Sequence, residues 1–274
     1  MTNPTHTAIT GAPHRRRIVR NATAAIGLLP LAHRAKRTWF RVFDPRQLAE
    51  LDGERVAFRW LVEHGRLEDL AGKRILEIGP KHGLDSRLLA PLGADELVLV
   101  DLPEKTPLVR TWLPDLEARH PVRYEEANIL YLSDAQRKEL DTFDLVWCLG
   151  VVYHNLEQLR LLRRLYDLCR DGGRVVVESS TARARLLRNR NVVELHWPEP
   201  FNGVPTVTHL PSRQALKSWL EMVGFVDVEI CDVYSREVSR NRALLTGRKV
   251  AGTPAFLSYG ATGLNPAYRA GDAT

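Results

Sequence analysis

The chain has 274 residues, of which 44% are hydrophobic and 26% are charged, with a net charge of +6. These proportions are typical of a globular protein with enough apolar material for a core, and the length fits one large domain or a domain with an appendage. Three cysteines, odd in number and widely spaced, exclude a disulfide framework and zinc-type spacing, so we expect a reducing, cytoplasmic compartment.

The positive charge is concentrated at the start of the chain. Nine basic side chains against one acid, Asp44, give residues 1–46 a net charge of +8, so the other 228 residues carry −2. Such a basic arm can attract nucleic acid, in particular RNA, anionic lipid or an acidic partner. The alternative is a solvated extension without a partner.

Part of this arm has features of a targeting signal. Arg15–Arg17 precede a mostly apolar run over residues 24–32, but further basic residues follow this run at once where a cleavage site would be needed. The run is also too short to cross a membrane. We therefore expect no transmembrane segment, and a short amphipathic helix over residues 31–43 that lies on the body or on a membrane surface.

Beyond the arm, the sequence predicts strands and helices in alternation. The predicted helices are 47–63, 86–92, 156–169 and 212–223. The predicted strands are 75–78, 97–100, 122–124, 143–148, 174–178, 226–233 and 242–246, with a turn at 171–173 and an irregular stretch at 181–211. Apolar strands that alternate with helices indicate a doubly wound α/β domain, here residues 47–250, followed by a loosely held tail over 251–274.

The turn after the first core strand is the candidate ligand site, because open parallel sheets bind ligands beyond the carboxyl ends of their strands. It runs from Glu77 to Gly83, and Gly79 and Gly83 allow a sharp turn and close approach to a ligand. A dinucleotide fingerprint requires glycine where Lys81 and Leu84 stand, so NAD and FAD are disfavoured. A phosphate-binding P-loop is also absent.

An acid at the end of the next strand suits a different nucleoside. Asp101 follows Glu77 by 24 residues. A carboxylate accepts hydrogen bonds from two vicinal ribose hydroxyls, and an acid near the first strand stabilises an ammonium group. The pair predicts S-adenosylmethionine as the cofactor. In the alternative interpretation the glycines only shape the turn and Asp101 only caps a helix.

Residues 73–104 resemble the first motif of class I S-adenosylmethionine-dependent methyltransferases, and the resemblance continues through residues 143–154 and 172–178. It implies a Rossmann-like sheet of seven mostly parallel strands that ends in an antiparallel pair. Carried over position by position, it places Glu77, Gly79 and Gly83 on the methionine part, Asp101 on the ribose, Asn128 near the adenine amino group, and Leu149 and Gly150 beside the cofactor. Lys81 and Asn128 depart from the family's usual glycine and acid.

Residues 150–154 and 210–228 are similar to a narrower group, the enzymes that form uridine-5-oxyacetate in tRNA. These transfer a carboxymethyl group from carboxy-S-adenosylmethionine and hold the extra carboxylate with a lysine, a tyrosine and an arginine. Arg59, Tyr153 and Arg242 fall at those positions, the first as a substitution. Tyr-His after the fourth strand also occurs in ordinary methyltransferases, so both donors stay open.

Methyl transfer from a sulfonium needs alignment, exclusion of water and, for some acceptors, a base. His154 follows the fourth strand and is the predicted base, with Tyr153 positioning the acceptor; packing roles are the alternative. Residues 194–203 are predicted to form a lid over the acceptor, with His196 and Trp197 as contacts. The histidines lack metal-ligand spacing, so we expect no metal.

The leading hypothesis is a methyltransferase with a small-molecule acceptor: a natural product, a sugar or a lipid precursor. One alternative is a tRNA-modifying (carboxy)methyltransferase whose basic arm tracks phosphates. Another is a catalytically idle cofactor-binding subunit.

Overall fold

The computed structural model describes residues 57–58, 60–61, 67, 70–237 and 240–252. The basic arm, the helix predicted over 31–43, most of the helix predicted over 47–63, Arg59 and the tail beyond residue 252 lie outside the described residues.

Seven strands form one sheet, and two short strands form a separate hairpin. The strands are β1 (Arg74–Ile78), β2 (Glu96–Asp101), β3 (Val122–Glu126), β4 (Phe143–Leu149), β5 (Cys169–Ser180), β6 (Val193–Leu195), β7 (His209–Pro211), β8 (Val226–Ile230) and β9 (Arg242–Arg248). The large sheet has the order β3-β2-β1-β4-β5-β9-β8. Its first four pairs are parallel, whereas β9 runs antiparallel to β5 and β8. The predicted α/β fold is confirmed.

Helices cover both faces of this sheet. They are α1 (Leu84–Leu89), α2 (Thr106–Val109), α3 (Leu113–Glu117), α4 (Asp134–Leu140), α5 (Gln158–Leu168), α6 (Arg213–Met222) and α7 (Asp232–Glu237). Helix α6 begins where the sequence predicts, because the Ser212 hydroxyl accepts a hydrogen bond from the Ala215 N–H at 2.9 Å and satisfies an otherwise unpaired donor.

The alternation of side chains along the strands divides the core into two layers. Leu76 and Ile78 of β1 pack into the layer covered by α5 and α6, whereas Ile75 packs into the layer that includes Trp147 and α3. We call the second layer the α3 side. The described residues of the N-terminal region, among them Phe58 and Trp60, are buried on this α3 side.

Three predicted elements differ from the structure. The turn at 171–173 lies inside β5 as a bulge, because the register with β4 shifts between Phe143 and Leu145. The stretch 181–211 is not irregular throughout, since it contains the β6–β7 hairpin. The strand predicted over 226–233 ends at Ile230, and α7 follows so that Tyr234 turns into the α3 side of the core.

The left-handed backbone at Gly224 offers a stability test of this packing. Gly224 has φ +114°, and a Cβ there would lie 2.8 Å from the Tyr166 ring. We expect Gly224→Ala to lower the free energy of unfolding by more than about 2 kcal/mol in urea titrations, because backbone strain and a ring clash add. Gly172 has φ +80° and nothing within 4 Å of such a Cβ. Gly172→Ala should therefore cost only about 1 kcal/mol, and equal losses would contradict this account.

Candidate active site

The candidate site lies at the carboxyl edge of the sheet, at the switch point between β1 and β4, where the strand order reverses. The loops after β1 and β4 begin here with Gly79 and Gly150, and β2 ends with Asp101. The antiparallel β9 begins at the same edge, because Arg242 pairs with Ser180 at the end of β5.

The glycine loop after β1 needs its glycines for packing as well as for its turn. Gly79 and Gly83 have φ of +73° and +68°. A Cβ on Gly79 would lie 2.7 Å from a methyl group of Val151, and one on Gly83 would lie 2.5 Å from the Trp112 ring. The predicted sharp turn is therefore present, and the space that the absent side chains leave is filled by neighbouring residues.

Lys81 stands at the middle of this loop with φ +46°, a conformation that costs a non-glycine residue about 1–2 kcal/mol. Its backbone is held on both sides. The N–H donates to Asp101 Oδ2 at 3.3 Å, and the carbonyl accepts from Trp112 Nε1 at 2.9 Å. These bonds explain how the loop keeps its turn without the family's usual central glycine.

Asp101 connects β2 to the glycine loop. One carboxylate oxygen accepts from the Lys81 N–H and the other from the Leu102 N–H at 2.8 Å. Burial raises the pKa of Asp101 above its ordinary value, and the two backbone donors oppose that shift. Each oxygen retains acceptor capacity, so the carboxylate is oriented and can still receive hydroxyl groups.

Two more carboxylates lie behind the loop on the α3 side of the sheet. Glu77 is buried, and its Oε2 accepts from the Ser86 hydroxyl at 2.7 Å. Burial, followed by the negative charge of Asp85, raises the pKa of Glu77 well above its ordinary value. Asp85 accepts from Trp147 Nε1 at 2.6 Å, and burial raises its pKa to about 7.

A buried ion pair closes the other end of the site. Arg242 donates from Nε to Glu178 Oε1 at 2.5 Å and from Nη2 to Oε2 at 2.6 Å. The Gly150 N–H donates to Oε2 as well, at 3.0 Å. The guanidinium carbon lies 5.3 Å from the centroid of the Tyr153 ring. Glu178 thereby links the loop after β4 to β9 and Tyr153.

Tyr153 and His154 lie in a short 3-10 turn after β4. Tyr153 is buried against Val207 and Leu210 of the segment that contains the β6–β7 hairpin. His154 is exposed, with its ring centroid 4.1 Å from that of Tyr153. Val207 and Leu210 follow the predicted lid in the chain, and of the lid itself Phe201 packs against this cluster, while His154 borders solvent.

Residues 52–230 match the model of the protein family described as "Methyltransferase domain". The chain belongs to this family. The predicted membership of the class I S-adenosylmethionine-dependent methyltransferases is thereby confirmed, and with it the class of cofactor of this domain.

Two curated relatives and one solved structure illustrate the likeness. The tRNA U34 carboxymethyltransferase of Enterobacter sp. is 32% identical over 189 residues, which are 68% of this chain and 55% of the relative. That of Idiomarina loihiensis is 26% identical over 197 residues, or 71% of this chain and 58% of the relative. The chain thus spans less than two thirds of either relative. The N-terminal domain of EvdMO1 with SAH bound has a TM-score of 0.51 at 20% identity, with 72% of this chain and 81% of that chain covered, and shares the fold.

The methyltransferase domain brings most of the predicted site residues to one edge. These are Glu77, Gly79, Gly83, Asp101, Leu149, Gly150, Tyr153, His154 and Arg242. Asn128 is exposed, and its Oδ1 accepts from the Leu130 N–H at 3.0 Å, so it caps a 3-10 turn after β3. Its contact with adenine, like the other cofactor contacts, stays a prediction.

The two predicted lid contacts differ in their surroundings. His196 packs edge-on against Phe201 at 5.1 Å between ring centroids, and its Nε2 lies 3.2 Å from Glu194 Oε1. Trp197 is 77% exposed. The structure therefore keeps His196 near the lid's inner surface and turns Trp197 outward.

Sequence reasoning missed Glu178, Asp85 and Trp112. Glu178 follows three buried valines near the end of β5, and an acid after a buried apolar run is the signal that singled out Glu77 and Asp101. Asp85 and Trp112 carry no such signal, because only the packing of their helices onto the loop brings them to the site. Within the described part of the chain, no group of three or more His, Cys, Asp or Glu residues could hold a metal ion, and no helix is long and apolar enough to cross a membrane.

The buried carboxyl of Asp85 makes stability depend on pH. The folded state binds this proton more tightly than the unfolded chain, so the stabilisation present below pH about 4 is lost as the pH rises through about 7. Asp85→Asn removes the buried charge and should raise the free energy of unfolding at pH 8 by about 2–4 kcal/mol relative to wild type. The increase in the free energy of unfolding should be smaller at pH 5. The control Asp95→Asn, at an exposed position, should not stabilise the protein more at pH 8 than at pH 5. A gain that is the same at both pH values would contradict this assignment.

Proposed function

We propose that the chain transfers the methyl group of S-adenosylmethionine to a small-molecule acceptor that binds beside Tyr153, at the edge of the sheet that the segment over 181–211 covers. The observation that carries this proposal is the packing of Val207 and Leu210 onto Tyr153. This packing covers the acceptor side of the edge, and a covered site suits a small ligand that the protein encloses.

The charge of the site fits this cofactor. Four carboxylates, on Glu77, Asp85, Asp101 and Glu178, are buried at this edge. Arg242 forms an ion pair with one of them, Glu178. S-adenosylmethionine presents a sulfonium and an ammonium, and opposite charge stabilises both in a site shielded from water.

The residues of the chain would perform three tasks. Asp101 would accept the ribose hydroxyls with a carboxylate already oriented by Lys81 and Leu102. Tyr153 and the lid would exclude water and align the acceptor with the methyl carbon. His154, exposed beside Tyr153, would accept the proton of an oxygen or nitrogen nucleophile. The cofactor supplies the electrophilic methyl group.

The test of the cofactor site is the affinity for the demethylated product, S-adenosylhomocysteine. Asp101→Ala removes two charge-assisted hydrogen bonds to the ribose and should weaken binding by roughly tenfold to hundredfold in calorimetry. Asp95→Ala alters an exposed acid beside β2 and should change the affinity less than twofold. Unchanged affinity in Asp101→Ala would contradict the site, and no binding by wild type would end the proposal.

A second candidate is carboxymethyl transfer from carboxy-S-adenosylmethionine. The contact between Tyr153 and Arg242 favours it, because the guanidinium lies over the tyrosine ring and both residue types can donate hydrogen bonds to an additional carboxylate. The names of the curated relatives favour it too. Against it, both oxygens of Glu178 already engage Arg242, so a second carboxylate would share that cation.

Tyr153→Phe separates the two donors, since it removes the hydroxyl and keeps the packing of the ring. If S-adenosylmethionine is the donor, we expect the variant to bind it in calorimetry with an affinity within about twofold of that of wild type. Were carboxy-S-adenosylmethionine the donor, wild type would bind it more tightly than S-adenosylmethionine, and the variant would lose about tenfold of that affinity. The second pattern would replace the methyl-transfer proposal.

A further inference from the structure

The β6–β7 hairpin is apolar on the face that points away from the protein. Val193 and Leu195 are 45% and 72% exposed, and Trp197, two residues further on, is 77% exposed. The His196 N–H donates to the Thr208 carbonyl at 2.6 Å, so the pairing continues past β6. Alternate residues of a paired strand share a face, and we call these three residues the outer face.

The inner face of the same hairpin is polar in part. Glu194 lies between the outer residues and pairs with Leu210, which is buried against Tyr153. The Glu194 carboxylate accepts from the Arg183 N–H at 2.7 Å and lies 3.2 Å from His196 Nε2. A hairpin on a water-soluble protein normally buries its apolar face. Here a carboxylate and an imidazole are turned inward, and the aliphatic and indole groups are left outside.

The segment that contains the outer face also carries several arginines and one more exposed apolar side chain. Residues 181–213 contain five arginines and two acids, and one of these acids is the inward-facing Glu194. Arg183 and Arg190 are exposed, and the Arg183 guanidinium donates to the amide oxygen of Asn202 at 3.1 Å. Leu186, in the turn that precedes β6, is 88% exposed. The segment thus presents positive charge together with exposed leucine and tryptophan.

This combination fits one kind of partner. Leucine and tryptophan insert into the boundary between headgroups and acyl chains, while arginine binds anionic headgroups. Aliphatic side chains do not stack on bases, so RNA would leave Val193 and Leu195 without a role. Three side chains also offer far less apolar area than a stable protein dimer buries. We propose that the outer face of the β6–β7 hairpin docks on an anionic lipid bilayer.

Docking in this way would place the acceptor side of the site at the membrane surface, because the inner face of the hairpin packs over Tyr153. If the proposed methyl transfer is right, as this step requires, the acceptor is an amphiphile that the enzyme meets at the bilayer.

The experiment measures flotation of the full chain with phosphatidylcholine vesicles, with and without phosphatidylglycerol. We expect wild type to float with the anionic vesicles and to bind the neutral ones less. The double variant Leu195→Ala/Trp197→Ala should partition at least about tenfold less, because two inserted side chains are lost. Val250→Ala, which truncates a 37% exposed valine beyond the end of β9 opposite Arg242, should partition like wild type. Arg190→Gln should lower the preference for anionic vesicles.

Each other outcome overturns the docking proposal. Equal flotation of wild type and the double variant would assign vesicle binding to another surface. If wild type does not float but differs from the double variant in molar mass, the outer face binds a second copy of the chain. If wild type does not float but differs from the double variant in tRNA binding, the outer face binds RNA. No flotation and no such change would leave the face without this role. Calorimetry with S-adenosylhomocysteine checks that the double variant is folded, and failure of wild type in that assay concerns the proposed function alone.

Discussion

Burial of negative charge at one edge of the sheet is the constraint on which the rest of this site depends. Glu77, Asp101 and Glu178 occupy strand positions that point to the α3 side, and Asp85 of α1 packs against them. Removing a carboxylate from water is costly unless it is paired, hydrogen-bonded or protonated. The four carboxylates meet this cost in three ways.

The solutions explain the surrounding structure. Glu178 is neutralised by Arg242, which joins the antiparallel end of the sheet to the site. Asp101 receives two backbone N–H groups, one of them from the strained Lys81 position, and so fixes the loop that follows β1. Glu77 and Asp85 have side-chain donors and raised pKa values, so protonation lowers the cost of burying them. A cationic cofactor would instead stabilise their charged forms.

The segment after β5, residues 181–211, covers the side of the site that includes Tyr153. Its inner residues pack on Tyr153, and its outer residues point to solvent with exposed arginines nearby. One side of this short hairpin therefore faces the site of the methyltransferase domain, and the other side faces the surroundings of the protein. Acceptor access and surface recognition would be coupled through this one element.

The sequence by itself determined the seven strands of the large sheet, the glycine turn and the acid at the tip of β2, because buried strands and tight turns require local patterns of apolar residues and glycine. It also pointed to Tyr153, His154 and Arg242, which stand at strand ends that a parallel sheet brings to one edge. The pairing of Glu178 with Arg242 was decided only by the tertiary structure, since residues 64 apart meet through the antiparallel register of β5 and β9. The same holds for the Trp147–Asp85 bond and for the outward turn of Trp197, because burial and direction depend on neighbours distant in the chain.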